Sequence, residues 1–563
     1  MYTNLQYNIL LLFVLIVAMP AVSQKKVKLE QAKVQSGGVL PNGIRFDKWR
    51  GDVIFSHEQT RINCDSAIRY NNTNLIEAFG HILIEEGDSI TITAQKLIYD
   101  GNAKIAKLRN DVVFTKLAQV TLYTDFLDYE RIKQQAYYFN KGKLVDSTNT
   151  LTSVKGYYNT QSNLASFKTN VVGQNPDYKL KSDTLQYNVK TNVIYFRAFT
   201  TLTDKEGNVF NYEEGDYDTK RKKSVFNRGL LETESYELTG DRLILDDIKR
   251  YYRAISNVFL IAKEEDIIIN GDYGEYWRDR QLTKVYGNAL MRQITDGDTL
   301  FLTADTLVSI DSDLDADKRL LAYNNVRIYK SDLQGKSDSL SYFLADSTIY
   351  FYNDPVLWTD GNQLTADSIN IQISNNQINK LNMNVNSFVI SQDTVLNFNQ
   401  IKGRSMTANF DNNQISKILV NGNGESIYFA LEDVSNNLIG MNNILCSDMS
   451  INFSNNQVNN IVFYVKPDGK LIPPHELKEP DKLLNGFKWR EDQRPLKEEM
   501  KVHQVQNLPV TPILPQEKIK SKEEIPDNAV KKNEVRFIKK EAIKDVKLKK
   551  KKSKKKKIDK HIE

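Results

Sequence analysis

"LTADTLVSI", residues 302–310, is one version of a phrase that returns along the chain, as "ITAQKLIYD" from Ile92, "LKSDTLQYN" from Leu180, "LTGDRLILD" from Leu238 and "LTADSINIQ" from Leu364. Most copies place an apolar residue, a small one two positions on, an apolar one three further, and another two beyond that. Leu302, Ala304, Leu307 and Ser309 set the spacing; Leu180, Ser182, Leu185 and Tyr187 repeat it. Steps of two keep a strand's side chains on one face, whereas a step of three would turn the set to the opposite face. The backbone therefore has to reset its register there, as a bulge or a sharp corner does. The reset falls beside Asp183, Asp241, Asp305, Asp338 and Asp367. Their carboxylates are expected to accept hydrogen bonds from nearby backbone N–H groups, and Asp tolerates unusual dihedral angles. The small residue lets the chain pack closely at the bend.

Further corners fall at Cys64, Ala94, Thr124, Gly271, Ser337, Gly403 and Cys446, a period of about 30 residues that signals a repeat architecture. Between corners stand "SNNQIN" at Ser374, "DNNQIS" at Asp411 and "SNNQVN" at Ser454, and paired Asn suits the positive φ of tight hairpins. "AYNNVRIYK" and "AFGHILIEE" read as returning strands. Helical repeats are disfavoured, because β-branched and aromatic residues dominate and no sustained 3.6-residue periodicity occurs. One bent two-stranded unit cannot bury its apolar face, but a stack of them encloses a continuous interior between two sheets. The sequence thus predicts an all-β, elongated trough of repeated antiparallel strands over residues 45–465.

Composition sets the limits of this region. From Lys466 onward the chain carries 28 Lys and Arg against 17 Asp and Glu, which leaves 48 against 54 before it, so a mildly acidic body precedes a basic tail. The tail holds nine of the 13 prolines, and only Pro41, Pro176 and Pro355 fall between residues 21 and 466, as strand interiors require. Residues 466–563 are expected to be a disordered Pro- and Lys-rich tail, ending in "KLKKKKSKKKKIDK" from Lys547. At the other end, an apolar run from Ile9 to Met19 and the small-x-small site Ala21-Val22-Ser23 read as a cleaved secretory signal over 1–23. A linker over 24–44 would follow it. Cys64 and Cys446 both occupy corner positions, which argues for small packed residues rather than a disulfide.

No catalytic constellation emerges. One Asp per corner is what a repeated structural bend produces. "DSDLDADKRLLA" from Asp311 imitates a calcium loop but carries Ala316 in place of the required Gly and Ala322 in place of the bidentate Glu. His57, His81, His475, His503 and His561 form no spaced ligand set, and no nucleophile elbow, HExxH or phosphate loop occurs. The protein is expected to be no enzyme, with no cofactor and no metal.

The stretch from Gly51 to Lys116 resembles the OstA-like (organic-solvent-tolerance) family of lipopolysaccharide-transport proteins. Gly51-Asp52-Val53 opens a strand, Ala78-Phe79-Gly80 leads to Ile82 and Ile84, and Ile92-Thr93-Ala94 precedes Leu97 and Tyr99. The resemblance implies a bent β-jellyroll, or β-taco, whose greasy cleft receives lipopolysaccharide acyl chains in the Gram-negative periplasm. It also implies joining end to end, to a second copy or to other transport proteins, through open strand edges. Here the pattern runs several times longer than one such domain, lacks outer-membrane barrel strands, and ends in a Lys-rich tail foreign to the family. Ile92, Leu97, Leu302, Leu307, Leu340, Tyr342, Ile369 and Ile371 share the inward parity and are the expected lipid contacts. The leading edge is expected at Gly51 to His57 and the trailing edge at Val458 to Lys466. The Lys-rich tail would meet anionic surfaces, and a secretory signal argues against nucleic acid. Two other readings compete: a parallel β-helix that binds or cleaves polysaccharide, and a packed structural scaffold of the envelope.

Overall fold

The computed structural model describes residues 26–501, apart from 71–72, 118, 235, 264–265, 296–297, 313, 360, 375–376, 412–413, 433–434 and 455–456. The expected signal sequence and the Lys-rich run from Lys547 lie outside the described residues. The chain is all-β: 33 strands among the described residues, mostly paired antiparallel with sequence neighbours. Ile90–Asp100 pairs with Leu75–Glu86 on one side and Ile105–Lys116 on the other, and Asp298–Ile310 with Leu282–Thr295 and Arg319–Lys330. Antiparallel pairing removes the parallel β-helix from consideration. The hairpins expected near Ser374, Asp411 and Ser454 have two-residue connections, since Ser374 faces Gln377, Asp411 faces Gln414 and Ser454 faces Gln457. Their Asn pairs lie outside the described residues.

In most pairings of long strands the register shifts once near the middle, where the strands bend. Phe79 faces Lys96 and Ile82 faces Ala94, so Gly80 and His81 stand against Gln95 alone. Tyr323 faces Ser339 and Val326 faces Ser337, so Asn324 and Asn325 stand against Asp338 alone. The extra residue belongs to the returning strand, and that strand carries the left-handed backbone: φ is +60° and +54° at Asn324 and Asn325, +57° and +50° at Ser256 and Asn257, and +60° and +51° at Val385 and Asn386. The sequence expectation placed the unusual dihedral on the Asp of the quoted phrase. It falls instead on the neighbouring strand, because the phrase spans the corner with one residue fewer. Most of the expected backbone bonds to the corner carboxylates are likewise replaced by side-chain amides: Asn257 donates to Asp241 at 2.7 Å, Asn325 to Asp305 at 3.0 Å and Asn386 to Asp367 at 3.1 Å.

Bending folds the meander into two facing half-sheets, and the inward positions of both form one apolar core from Val27 to Ile451. Cys64 is buried and Cys446 half-buried; both thiols are free, and burial pushes Cys64 up to about 12. Two boundaries differ from expectation. The segment expected as a linker supplies strands Lys28–Gln31 and Val34–Val39, both paired with Arg45–His57, so Gly51 to His57 is not the leading edge. "KLEQ" and "VQSGGV" are too short and polar to show alternation.

The segment expected to be disordered from 466 is structured to 501. Asp468–Ile472 pairs with Leu438–Ser454, and an irregular strap then crosses the outer face of one half-sheet. Leu484, Phe487 and Trp489 pack on Phe388, Ile390, Ile427, Phe429 and Met441. Three buried Gln side chains pin the strap's backbone and side chains. Gln400 donates to the Lys482 carbonyl and accepts from Leu484 N–H, both at 2.8 Å. Gln363 donates to the Lys488 carbonyl at 2.7 Å and accepts from Arg490 N–H at 2.6 Å, and Gln334 accepts the Arg494 guanidinium. Prolines bar this segment from a ladder, but a strap held by side chains needs none.

Candidate functional site

The interior changes character along its length. Up to about Phe226 the inward positions are filled by rings: Tyr99, Tyr129, Tyr138, Tyr158, Tyr187, Phe114, Phe167 and Phe196 are fully buried, and Tyr212 stacks on Phe226 with centroids 3.7 Å apart. Beyond it, the inward face includes Gly240, Ala254, Gly271, Gly274 and Ala289 near the bend, and Leu, Ile and Met toward the strand ends. Small residues at the bend and flexible aliphatics above it leave space that aromatic rings filled earlier.

That space is a cavity of about 920 Å³ whose apolar wall includes Leu231, Leu238, Leu260, Ile269, Met291 and Ile328. Leu302, Leu340 and Tyr342, three of the eight expected lipid contacts, belong to the same wall. The other five do not line it. Ile92, Leu97, Leu307, Ile369 and Ile371 are buried in closed core. Parity identifies the inner face but not where facing strands leave a gap, and the fall in inward aromatic residues after Phe226 was the signal that could have found Leu238, Leu260, Ile269 and Met291.

The opening is polar. Glu206, Lys263, Arg278, Asp311, Lys318 and Arg319 surround it with Tyr236 and Tyr276. Arg278 pairs with Glu206 and holds that carboxyl below the usual range through a hydrogen bond. Lys263 bonds Glu232 at 3.0 Å. Among the described residues, the buried Nε of Arg319 has no hydrogen-bond partner, a donor that a polar or anionic group at the opening would satisfy. A second cavity of about 200 Å³ adjoins the first, shares Glu206, Phe210, Tyr252 and Arg278 with it, and is lined by Asp177, Asp204, Lys222 and Asp247. Among the described residues no cluster of His, Cys, Asp and Glu has the arrangement of a metal site. The arrangement can shelter hydrocarbon and meet a charged group at its edge.

Comparison with known proteins gives matches to parts of the chain. Among solved structures, LptH of Pseudomonas aeruginosa, described as the LptA-homologous periplasmic component of the conserved lipopolysaccharide transport device, is similar at 12% identity over 21% of this chain and 82% of that one, with a TM-score of 0.19. No curated protein matches. The model of the OstA-like protein family matches residues 24–183, which end before the wall of the larger cavity begins. Over residues 24–183 this chain is similar to the OstA-like protein family.

Proposed function

We propose that the protein is a non-catalytic periplasmic lipid carrier or bridge in lipopolysaccharide transport to the outer membrane. The observation that carries this reading is the apolar cavity of about 920 Å³ with a charged opening, set in a long two-sheet trough whose first part is OstA-like. Each methylene moved from water into such a cavity contributes about 0.8 kcal/mol, so acyl chains are retained without polar recognition. Arg319 and its neighbours at the opening suit a phosphorylated headgroup. Among the described residues, the ends of the trough present unpaired strand edges, which suit strand addition to another transport protein or to a second copy. The open cavity favours this reading over a purely structural scaffold, whose interior would be closed throughout.

Site-specific photo-crosslinking tests it. A crosslinker at Leu340 or Leu302 is expected to capture lipopolysaccharide, and one at Ile92, buried in closed core, is not. Equal capture at Leu340 and Ile92, or none at Leu340, refutes the cavity as the lipid site.

A further inference from the structure

The two rims of the trough's mouth carry opposite charge. One rim consists of the turns at 58–59, 87–89, 146–149, 175–177 and 205–208, and with the adjoining strand ends it presents Glu58, Glu86, Asp146, Asp177 and Glu206. The other includes the turns at 101–104, 131–134, 189–192, 219–222 and 278–281 and presents Lys104, Arg131, Tyr187, Lys222 and Arg278. Across the mouth, Glu58 meets Lys104 at 2.9 Å, Glu86 meets Arg131 at 3.4 Å and Asp177 meets Lys222 at 2.8 Å. Tyr187 donates to Asp146 at 2.5 Å, and Glu206 pairs with Arg278.

These partners are not strand neighbours. Glu58 and Lys104 are 46 residues apart, and Asp177 and Lys222 are 45, so each pair bridges the gap between half-sheets rather than reinforcing a ladder. The basic rim also holds Glu130, Asp218 and Asp279, but these pair with Lys133, Arg221 and Arg250 of their own rim; in the series that crosses the mouth each carboxylate stands on one rim and its partner on the other. Of the cations on the acidic rim, Lys116 reaches the neutral Thr160 carbonyl and Asn163, and Lys205 lies 3.9 Å from Asp177 of its own rim. Arg131 and Glu86 are largely shielded from water, which strengthens such pairs relative to exposed ones. The last pair, Glu206 with Arg278, stands where the larger cavity begins.

We propose that these pairs form an electrostatic zipper that holds the mouth shut from Glu58 to Arg278 and confines sideways entry of an acyl chain to the larger cavity. The closure is a property of the rims; only the identity of what enters rests on the lipid-carrier reading. The tightly packed rings behind the closed mouth are then a rigid beam, and the cavity is its lateral port.

The test uses the full chain with Cys64→Ala and Cys446→Ser, spin labels on Gln59→Cys and Ala103→Cys, and phenylnaphthylamine as a probe of accessible apolar interior. The parent is expected to give one narrow inter-label distance and dye uptake that Leu340→Arg removes. Raising sodium chloride to about 1 M, where the screening length falls to about 3 Å, should broaden the distance and at least double the dye bound. Lys104→Glu should do so at low salt, and the exchanged pair Glu58→Lys with Lys104→Glu should restore the narrow distance and the parent uptake. A distance and an uptake indifferent to salt and to Lys104→Glu, or an exchanged pair that fails to restore them, overturns the zipper. A zipper that responds as described in a protein that binds no lipopolysaccharide leaves the closure standing and removes the carrier function.

Discussion

At a corner, one residue of the quoted phrase faces two of the returning strand, and the backbone strain is carried by Asn. Asn325 has φ of +54° and donates to Asp305, so its side chain and its tolerance of the left-handed region serve the same bend. Asn325→Val should lower stability by about 1–2 kcal/mol from the dihedral alone, and Asn325→Gly by less, in urea unfolding; equal losses would show that the dihedral is not what Asn relieves. Ala304 is buried at the same bend, and Ala304→Leu should cost about 1–3 kcal/mol by overpacking it. The step of three in "LTADTLVSI" made the corner legible, and Asp305 marked its place. Which strand bears the strain was not legible, since Asn-Asn in "AYNNVRIYK" is locally the same signal as Asn-Asn in "SNNQIN" and only tertiary pairing separates a corner from a hairpin.

Among elements, the strap from Pro473 to Lys501 departs most from its composition. Proline and charge gave it the signature of disorder, but Phe487 and Trp489 in "GFKWR" and the buried Gln363 and Gln400 on the sheet beneath compose one interface. Neither half of it is periodic, so no pattern of period two announced it. Gln400→Leu removes the partners of Leu484 N–H and the Lys482 carbonyl and should cost about 1–3 kcal/mol, read as faster proteolysis within 473–501 and a lower melting temperature. If cleavage there is no faster than in the parent, the strap is held by its aromatic contacts alone. The candidate site was legible to the same degree as the strands that form it. Inward parity selected Leu302, Leu340 and Tyr342, which line the cavity, and by the same rule Ile92 and Leu97, which do not, because a gap depends on the summed volume of residues from distant strands.

Over the whole molecule, the rim carboxylates make stability depend on pH. Hydrogen bonds from Lys104, Lys222 and Arg278 hold Glu58, Asp177 and Glu206 below the usual carboxylate range. With the folded value depressed, the unfolded chain binds more protons, so this stabilisation is present above the usual range near pH 4 and lost as pH falls through the folded values. Melting temperature should fall below about pH 4, and less steeply in Glu58→Gln/Asp177→Asn/Glu206→Gln; identical acid profiles would show that other groups govern the loss. At the far end, the edge strand Gln457–Tyr464 exposes Val458, Ile461, Val462 and Tyr464 and has no neighbour beyond it among the described residues. Ile461→Pro should weaken association in light scattering, and removal of 502–563 should not. Unchanged association in the proline variant would rule out edge pairing.

The nearest-neighbour pairing of the strands has a kinetic consequence. Because Ile90–Asp100 pairs only with the strands just before and just after it, the loops closed in adding such a strand to the ladder are short, and the entropy of closure per strand stays small however long the chain becomes; the strap, held by Gln334, Gln363 and Gln400, is the element that closes long ones. Structure can then nucleate at any early hairpin and propagate, one strand at a time, as successive segments become available. An insertion or deletion of one two-strand unit would shift the length of the beam without asking any distant segment to refold.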